Sequence, residues 1–235
     1  MAAPERPLPP GQILHGSFER FGLGLFANRF PADPGVVRIH IGGDVAREVV
    51  LSTELDGLPR VEQVADFHCV TTWSVCDLKW SGYRFADFYE HVVVPLARPA
   101  ALAHVVVLKG QDGYRTSMQL EDLLRPDVML ADTLNDAPLG LAHGAPLRVV
   151  APAHYGYKNV KHLGAMEFWT DRRHYRFPFP YPAFMDHPRA RVALEERGRW
   201  FPQAWLRCLY RLVVPWVRAR SRRALERHQR RNGDR

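Results

Sequence analysis

Residues 66–82 read DFHCVTTWSVCDLKWSG and gather one histidine, two of the chain's three cysteines and two tryptophans. The apolar segment RVEQVADFHCV leads straight into Cys69, so this cysteine stands where a strand gives way to a loop of polar and aromatic residues. A strand end can hold a thiolate rigidly and leave it accessible. The bland alternative is a core cysteine, since an isolated cysteine usually behaves as a small buried hydrophobe. Structural zinc fits poorly: Cys69 and Cys76 are separated by six residues, wider than the usual knuckle, and no second cysteine pair exists. A Cys–His pair for acyl transfer has His68, His143, His154 and His162 to draw on, but no thiol-hydrolase signature accompanies it.

Outward from this segment, short strands outnumber helices. In VVRIHIGGDV, Val37, Ile39 and Ile41 alternate with Arg38 and His40, the period of a half-buried strand, and Gly42-Gly43-Asp44 turns the chain. YRFADFYEHVV puts Phe85, Phe88 and Val92 at helical spacing, and AHVVVLKG returns as a buried strand. Thr116 and Gln119 match the capping box S/T-x-x-E/Q ahead of Leu120, Leu123 and Leu124, which predicts a helix from Thr116 that stops at Pro126. VMLADTL, PLRVVAP and LGAMEFWT supply further strands. The expected fold is α+β with a mixed sheet. Its expected organisation is an extended arm over residues 1–34, a catalytic domain over 35–180 and a basic helical extension over 186–235.

The net charge of +7 is unevenly distributed. Residues 189–235 hold fourteen arginines, no lysine and four acidic residues, a net +10 that leaves −3 for everything before them. A slightly acidic domain followed by a basic tail argues against a nucleic-acid-binding surface on the domain itself. Three cysteines cannot all pair, MAAPERPLPPGQ lacks the basic start and apolar run of a secretory signal, and no segment is long enough and apolar enough to span a bilayer. These features predict a cytoplasmic protein.

Two more segments carry chemistry. In HGAPLRVVAPAHYGYKNVKHLGAMEF, residues 143–168, a strand delivers a loop with two lysines and a glycine, suited to an anion or equally to a solvated basic surface. In FERFGLGLFANRFP, Arg20, Asn28 and Arg29 sit among aromatic and glycine residues.

In order and content these segments resemble the molybdopterin-binding domain of the sulfite oxidase superfamily, most closely its small bacterial sulfite oxidase-like branch. That branch has a motif of the form FHCVTxWS followed by WxG, and this chain has FHCVTTWS from Phe67 to Ser74 and WSG at Trp80 to Gly82. DGYRTSMQLEDLL, LAHGAPLRVVAP and HYGYKNVKHLGAMEF resemble its later motifs in the same order, so that the likeness covers residues 8–176.

The resemblance implies that Cys69 supplies a thiolate to molybdenum, a soft donor for a metal already held by the sulfurs of the pterin. Arg148, Asn159, Val160 and Lys161 match positions that hold the pterin and its phosphate in the related methionine sulfoxide reductase catalytic subunit. His143 falls where that relative has an asparagine, and His143, His68 within FHCVTTWS and Asn28 within LFANRFP are read with them as cofactor-binding residues. LFANRFP looks like the arm of sulfite oxidases in which an arginine faces the oxyanion, which points to Arg29. Tyr155, with Tyr157, is a candidate for the tyrosine beside molybdenum in sulfite oxidases.

The implied reaction is oxygen-atom transfer at a small sulfur or nitrogen oxo-compound, such as sulfite or a sulfoxide. The chain shows no haem domain, iron–sulfur pattern or dinucleotide fingerprint, so electrons pass to or from a separate protein. A reading of another class is a non-catalytic molybdopterin-binding or scaffold module that works through its basic tail. In that tail Trp205, Leu209, Leu212, Val213 and Trp216 follow helical spacing among arginines, which fits either packing on the domain or peripheral docking to an anionic membrane surface or acidic partner.

Overall fold

A computed structural model describes residues 7–22, 24–178, 181 and 183–233. Two sheets form its frame. In the first, the long strand β5 (Trp73–Arg84) pairs antiparallel with β4 (Arg60–His68) along one edge. Its other edge pairs with β1 (Ile13–Leu14) at one end and with β8 (Met129–Leu134) at the other. β9 (Ala137–Pro138) and β10 (Arg148–Val150) extend β8. The second sheet runs β3 (Val49–Leu51), β2 (Ile39–Gly43), β11 (Leu163–Trp169), β6 (Val105–Gly110), β7 (Arg115–Gln119), with β11 parallel to β2 and antiparallel to β6.

The period of two along β8 and β10 divides the core. Leu130 and Val149 face the main cluster, where Ile39, Ile41, Phe85, Phe88, Leu108, Met166 and Phe168 are all buried. Met129, Ala131 and Val150 face a second cluster with Cys69, Trp73, Val75, Leu78 and Trp80, onto which Phe18, Phe21 and Phe67 pack. Alternation in a strand sends neighbours to opposite faces, so one sheet serves both clusters.

The helical spacing in YRFADFYEHVV is realised as successive turns, α1 (Phe85–Phe88), a π-turn (Tyr89–Val93) and α2 (Val94–Ala97), ended by Arg98 in the left-handed region at φ 54°. The helix expected from Thr116 is not formed. Thr116, Ser117 and Met118 are buried in β7, paired with Leu108, Val107 and Val106 of β6, and helix α3 is the single turn Leu120–Leu123. Partners on the adjacent strand outweigh a local capping signal, which is worth only about 1 kcal/mol.

The expectation of a helical extension from residue 186 is corrected as well. Residues 186–202 are irregular and packed on the domain, with Asp186, Ala190, Val192 and Arg197 buried. The helix proper is α4 (Gln203–Gly233), which opens after Pro202 and runs through Pro215 without a break. Its inward stripe is Leu206, Tyr210, Ser221 and Ala224. It binds the N-terminal arm through Arg220 Nε to the Gly24 carbonyl (3.2 Å), Arg227 to Asn28 Oδ1 (3.0 Å) and His228 stacked on Phe30.

Irregular segment and sheet are joined by a buried ion network: the fully buried Lys158 Nζ donates to Asp186 Oδ1 (3.0 Å), and Arg172 donates to Asp186 Oδ2 (3.1 Å). Removing one partner of a buried pair typically costs about 3–5 kcal/mol because it leaves an uncompensated charge. Asp186→Ala should therefore lower unfolding free energy by about that amount in chemical denaturation, whereas Arg173→Ala, whose partner Asp171 lies at the surface, should change it by less than about 1 kcal/mol.

Candidate active site

Cys69 follows the last residue of β4 in a tight turn to β5. The Cys69 amide donates to the Trp73 carbonyl (2.8 Å), the Thr72 amide donates to the Cys69 carbonyl (3.1 Å), and Thr72 takes φ 76°. A β-branched residue rarely adopts that conformation, so the turn is held from outside. Gln12 Nε2 donates to the Cys69 carbonyl (3.2 Å), and Ile13 N to the Thr72 carbonyl (2.9 Å). From the other end of the chain, the buried Arg197 donates to the Val70 carbonyl (2.6 Å) and to the Pro10 carbonyl (3.0 Å). The Thr71 hydroxyl lies 3.1 Å from Cys69 Sγ. Burial pushes the Cys69 thiol up from its ordinary value, against the Thr71 hydrogen bond and the charges of Arg218 and Arg197.

The thiol opens into a cavity walled by Phe21, Phe26, Trp73, Tyr114, Phe177 and Tyr210 among others, with Arg20, Asp112 and Lys161 also on its wall. A neighbouring pocket shares Phe21, Phe67, Trp73, Asn159 and Lys161 with it and adds His143 and Arg148. β10 places Arg148 on the Cys69 side of the sheet, its guanidinium 4.9 Å from the Trp80 ring centre and donating to the His143 carbonyl (2.8 Å). Lys161 Nζ donates to the Phe21 carbonyl (3.2 Å). Burial lowers Arg148 to about 9, and burial together with Arg20 and Arg148 lowers Lys161 to about 7. Asp112 is the carboxylate on this wall, and burial pushes it up. The buried Arg20 and Arg148 and the half-buried Lys161 face two carboxylates, Asp112 on this wall and Glu19 on the neighbouring one, so cations outnumber carboxylates at the site.

A profile of the oxidoreductase molybdopterin-binding domain matches residues 27–177. The chain belongs to this family. An uncharacterized oxidoreductase of Bacillus subtilis, YuiH, is 36% identical over 162 residues, covering 68% of this chain and 78% of that protein. The protein-methionine-sulfoxide reductase catalytic subunit MsrP of Xanthomonas axonopodis is 29% identical over 182 residues, and the match spans 56% of its length. Among solved structures, the sulfane dehydrogenase SoxCD of Paracoccus pantotrophus overlaps 57% of this chain and 38% of its own with a TM-score of 0.49 at 21% identity. The protein is thus a molybdopterin-dependent oxidoreductase of the sulfite oxidase superfamily, with the α+β fold expected of it.

The residues present fit molybdenum–molybdopterin. Arg148 is buried and Lys161 half-buried, with no carboxylate hydrogen-bonded to either among the described residues, an arrangement that calls for an anionic ligand. Gly144, at φ 114°, and Gly156 allow close packing of the loops around them: a Cβ on Gly156 would stand 2.1 Å from the Phe67 ring. A thiol and neutral aromatic walls suit a soft metal.

Other residues singled out in the sequence are placed differently. Val160 is buried in the main core, and Asn159, although it reaches the cavity wall, spends its side chain on its own loop, accepting from Ala151 N (2.6 Å). His68 turns to Ser74 Oγ (2.7 Å), which in turn donates to Gln12 Oε1, and so braces the turn from behind. Asn28 faces Arg227 rather than the cavity. Arg29 lies with its guanidinium 5.2 Å from the Phe26 ring centre and off the cavity wall; Arg20 occupies the wall instead, donating to the carbonyls of Ala27 (2.6 Å) and Arg29 (3.0 Å). Tyr155 is wholly buried against Arg197, Ala190 and Val192, and the tyrosines on the wall are Tyr114, Tyr157 and Tyr210. His143 stacks on Phe18 with ring centres 4.8 Å apart.

Arg197 and Tyr210 lie outside the motifs named above. Asp112 and Tyr114 lie within DGYRTSMQLEDLL, but nothing there shows that the turn ahead of β7 brings them to the wall of the Cys69 cavity.

His162 donates through Nδ1 to the Ala145 carbonyl (2.6 Å) and is lowered to about 4, chiefly by burial. An unfolded histidine titrates near pH 6.5. Between these values the unfolded chain binds the extra proton, so stability is full above pH 6.5 and falls as pH falls towards 4. The loss from this residue should be on the order of 2–3 kcal/mol. Denaturant unfolding of cofactor-free protein between pH 7 and 4.5 should show it, and His162→Gln should remove part of the slope.

Proposed function

We propose that the protein transfers an oxygen atom to or from a sulfur centre carrying apolar substituents, with Cys69 as the protein thiolate on molybdenum. The observation that carries this reading is the Cys69 thiol opening into a cavity whose continuation is lined by the buried Arg148 and the half-buried Lys161, neither of them hydrogen-bonded to a carboxylate among the described residues. Bound there, the cofactor supplies the redox metal and the oxygen-exchange chemistry, as cofactors generally carry the difficult step.

The chain's own residues do the rest. Arg148 and Lys161 hold the anionic part of the cofactor by charge-assisted hydrogen bonds. The Thr71 hydroxyl, 3.1 Å from Cys69 Sγ, is placed to donate to the thiolate and so favours the ionised form that ligation needs. The aromatic wall excludes water. His143 and His162, both held near 4, stay neutral at physiological pH and add no further positive charge.

For the substrate, a sulfoxide is favoured over a bare oxyanion such as sulfite. Phe26, Phe177 and Met185 line the cavity, and Arg20 is engaged by backbone carbonyls. The name of the Xanthomonas relative points the same way. Electrons are exchanged with a separate partner, which docks on the outward face of α4 where Trp205, Leu212 and Trp216 stand exposed among arginines. A helix is only about 10–12 Å across, so a partner seated there lies close to the cavity that the inner face of α4 closes. A cytoplasmic location, with docking at a membrane surface as the tail's other use, completes the proposal. It is supported by the three cysteines, none of which is in a disulfide.

The test is molybdenum content together with spectral change: dithionite-reduced protein should be reoxidised by methyl phenyl sulfoxide, while sulfite should reduce the oxidised protein poorly. Reduction by sulfite without reoxidation by sulfoxide would overturn the substrate assignment. Cys69→Ser should fold with unchanged melting temperature within a few degrees and lose activity by more than about 100-fold, beyond the 10–100-fold typical of residues that act through a metal ligand. Lys161→Ala and Arg148→Ala should each purify with less molybdenum, measured by elemental analysis, because each leaves cofactor oxygens without a charge-assisted donor.

A further inference from the structure

Residues 178–235 lie beyond the stretch matched by the family profile, yet they shape the cavity at Cys69. The inward stripe of α4 brings Tyr210 onto the same wall as Cys69, Thr71 and Trp73, and Arg218 lies over the Trp73 ring at 5.1 Å. Leu206, one helical turn before Tyr210, is fully buried and fixes this part of the helix against the domain.

The three tyrosines on the wall differ in one respect. Tyr114 donates to the Tyr157 carbonyl (2.7 Å), and the Tyr157 hydroxyl accepts from His187 N (2.9 Å) and donates to the His187 carbonyl (3.4 Å). Tyr210 is only 3% exposed, and its hydroxyl has no hydrogen-bond partner among the described residues. A buried hydroxyl left unmet is costly, and phenylalanine would fill the same space without that cost. The hydroxyl is therefore explained by something that enters the cavity and accepts a hydrogen bond.

We propose that α4 is part of the active site and that the Tyr210 hydroxyl donates a hydrogen bond to the oxygen of the substrate bound over Cys69. This rests on the oxygen-transfer reading above and deepens it. A neutral donor suits a sulfoxide oxygen, a strong acceptor that carries no full charge. The neighbouring Phe177 and Met185 offer contact for the substituents on sulfur. No proton is transferred in this role: the hydrogen bond orients the oxygen and polarises its bond to sulfur.

Tyr210→Phe in the molybdenum-loaded enzyme tests it, because the ring and its packing are kept. Two readouts are used: KM and kcat with methyl phenyl sulfoxide, and the dissociation constant of dimethyl sulfone, an unreactive oxygen acceptor, followed by NMR titration of the protein. The expected result is molybdenum content and melting temperature equal to wild type, with KM and the sulfone dissociation constant both raised by about five- to tenfold, the value of one neutral hydrogen bond. Unchanged sulfone affinity and KM in a variant that still turns over sulfoxide would overturn the role of Tyr210 and leave the oxygen-transfer reading standing. Loss of molybdenum or of melting temperature in Tyr210→Phe would make the residue structural and also overturn it. Wild-type enzyme loaded with molybdenum but inert towards sulfoxide would overturn both.

Discussion

The turn from Cys69 to Trp73 is the point on which the rest of the molecule depends. A β-branched residue at φ 76° is held in place by hydrogen bonds from three separate parts of the chain. The hairpin closes it, Gln12 and Ile13 of the N-terminal arm fasten one side, and Arg197 of the C-terminal segment fastens the carbonyl of Val70. Arg197 also grips the Pro10 carbonyl, so arm and tail are tied to each other as well as to the turn. Such strain persists only where the surroundings over-determine the conformation, and here they do so next to the Cys69 thiol.

A second constraint is electrostatic. Arg20, Arg148 and Lys161 are brought together around the cavity, with Asp112 and Glu19 as the carboxylates beside them. Desolvation of a charge is repaid only by a well-placed counter-charge, so the folded chain carries an unmet demand for an anion. Contrast Lys158, fully buried, whose charge is met by Asp186 and which serves the fold. Two lysines three residues apart thus have different work, and the difference lies in which carboxylates surround them.

Much of this was legible in the sequence because it was local. The period of two in VVRIHIGGDV, the strand segment PLRVVAP and the apolar run into Cys69 became β2, β10 and β4. The helical spacing at Phe85, Phe88 and Val92 became the turns from α1 to α2. The capping-box pattern at Thr116 misled because a local signal of about 1 kcal/mol competes with a whole ladder of pairing to β6, which the sequence does not display. Arg29 and Tyr155 misled for a related reason: a motif gives the order of residues along the chain, while the side chain that reaches the cavity is chosen by how the arm and the C-terminal segment pack.

The sequence by itself determined the α+β class, the thiol at a strand end, the basic loop that follows β10, and the membership in a molybdopterin-binding family, since each is written in contiguous residues whose spacing sets their local conformation. Only the tertiary structure decided that Arg20 rather than Arg29 lies on the cavity wall, that Asn28 belongs to the tail contact, and that Tyr210, some 140 residues beyond Cys69 in the chain, closes the same cavity. Those choices are made by burial and hydrogen-bond satisfaction between segments far apart in sequence, and a periodicity or a motif carries no record of them.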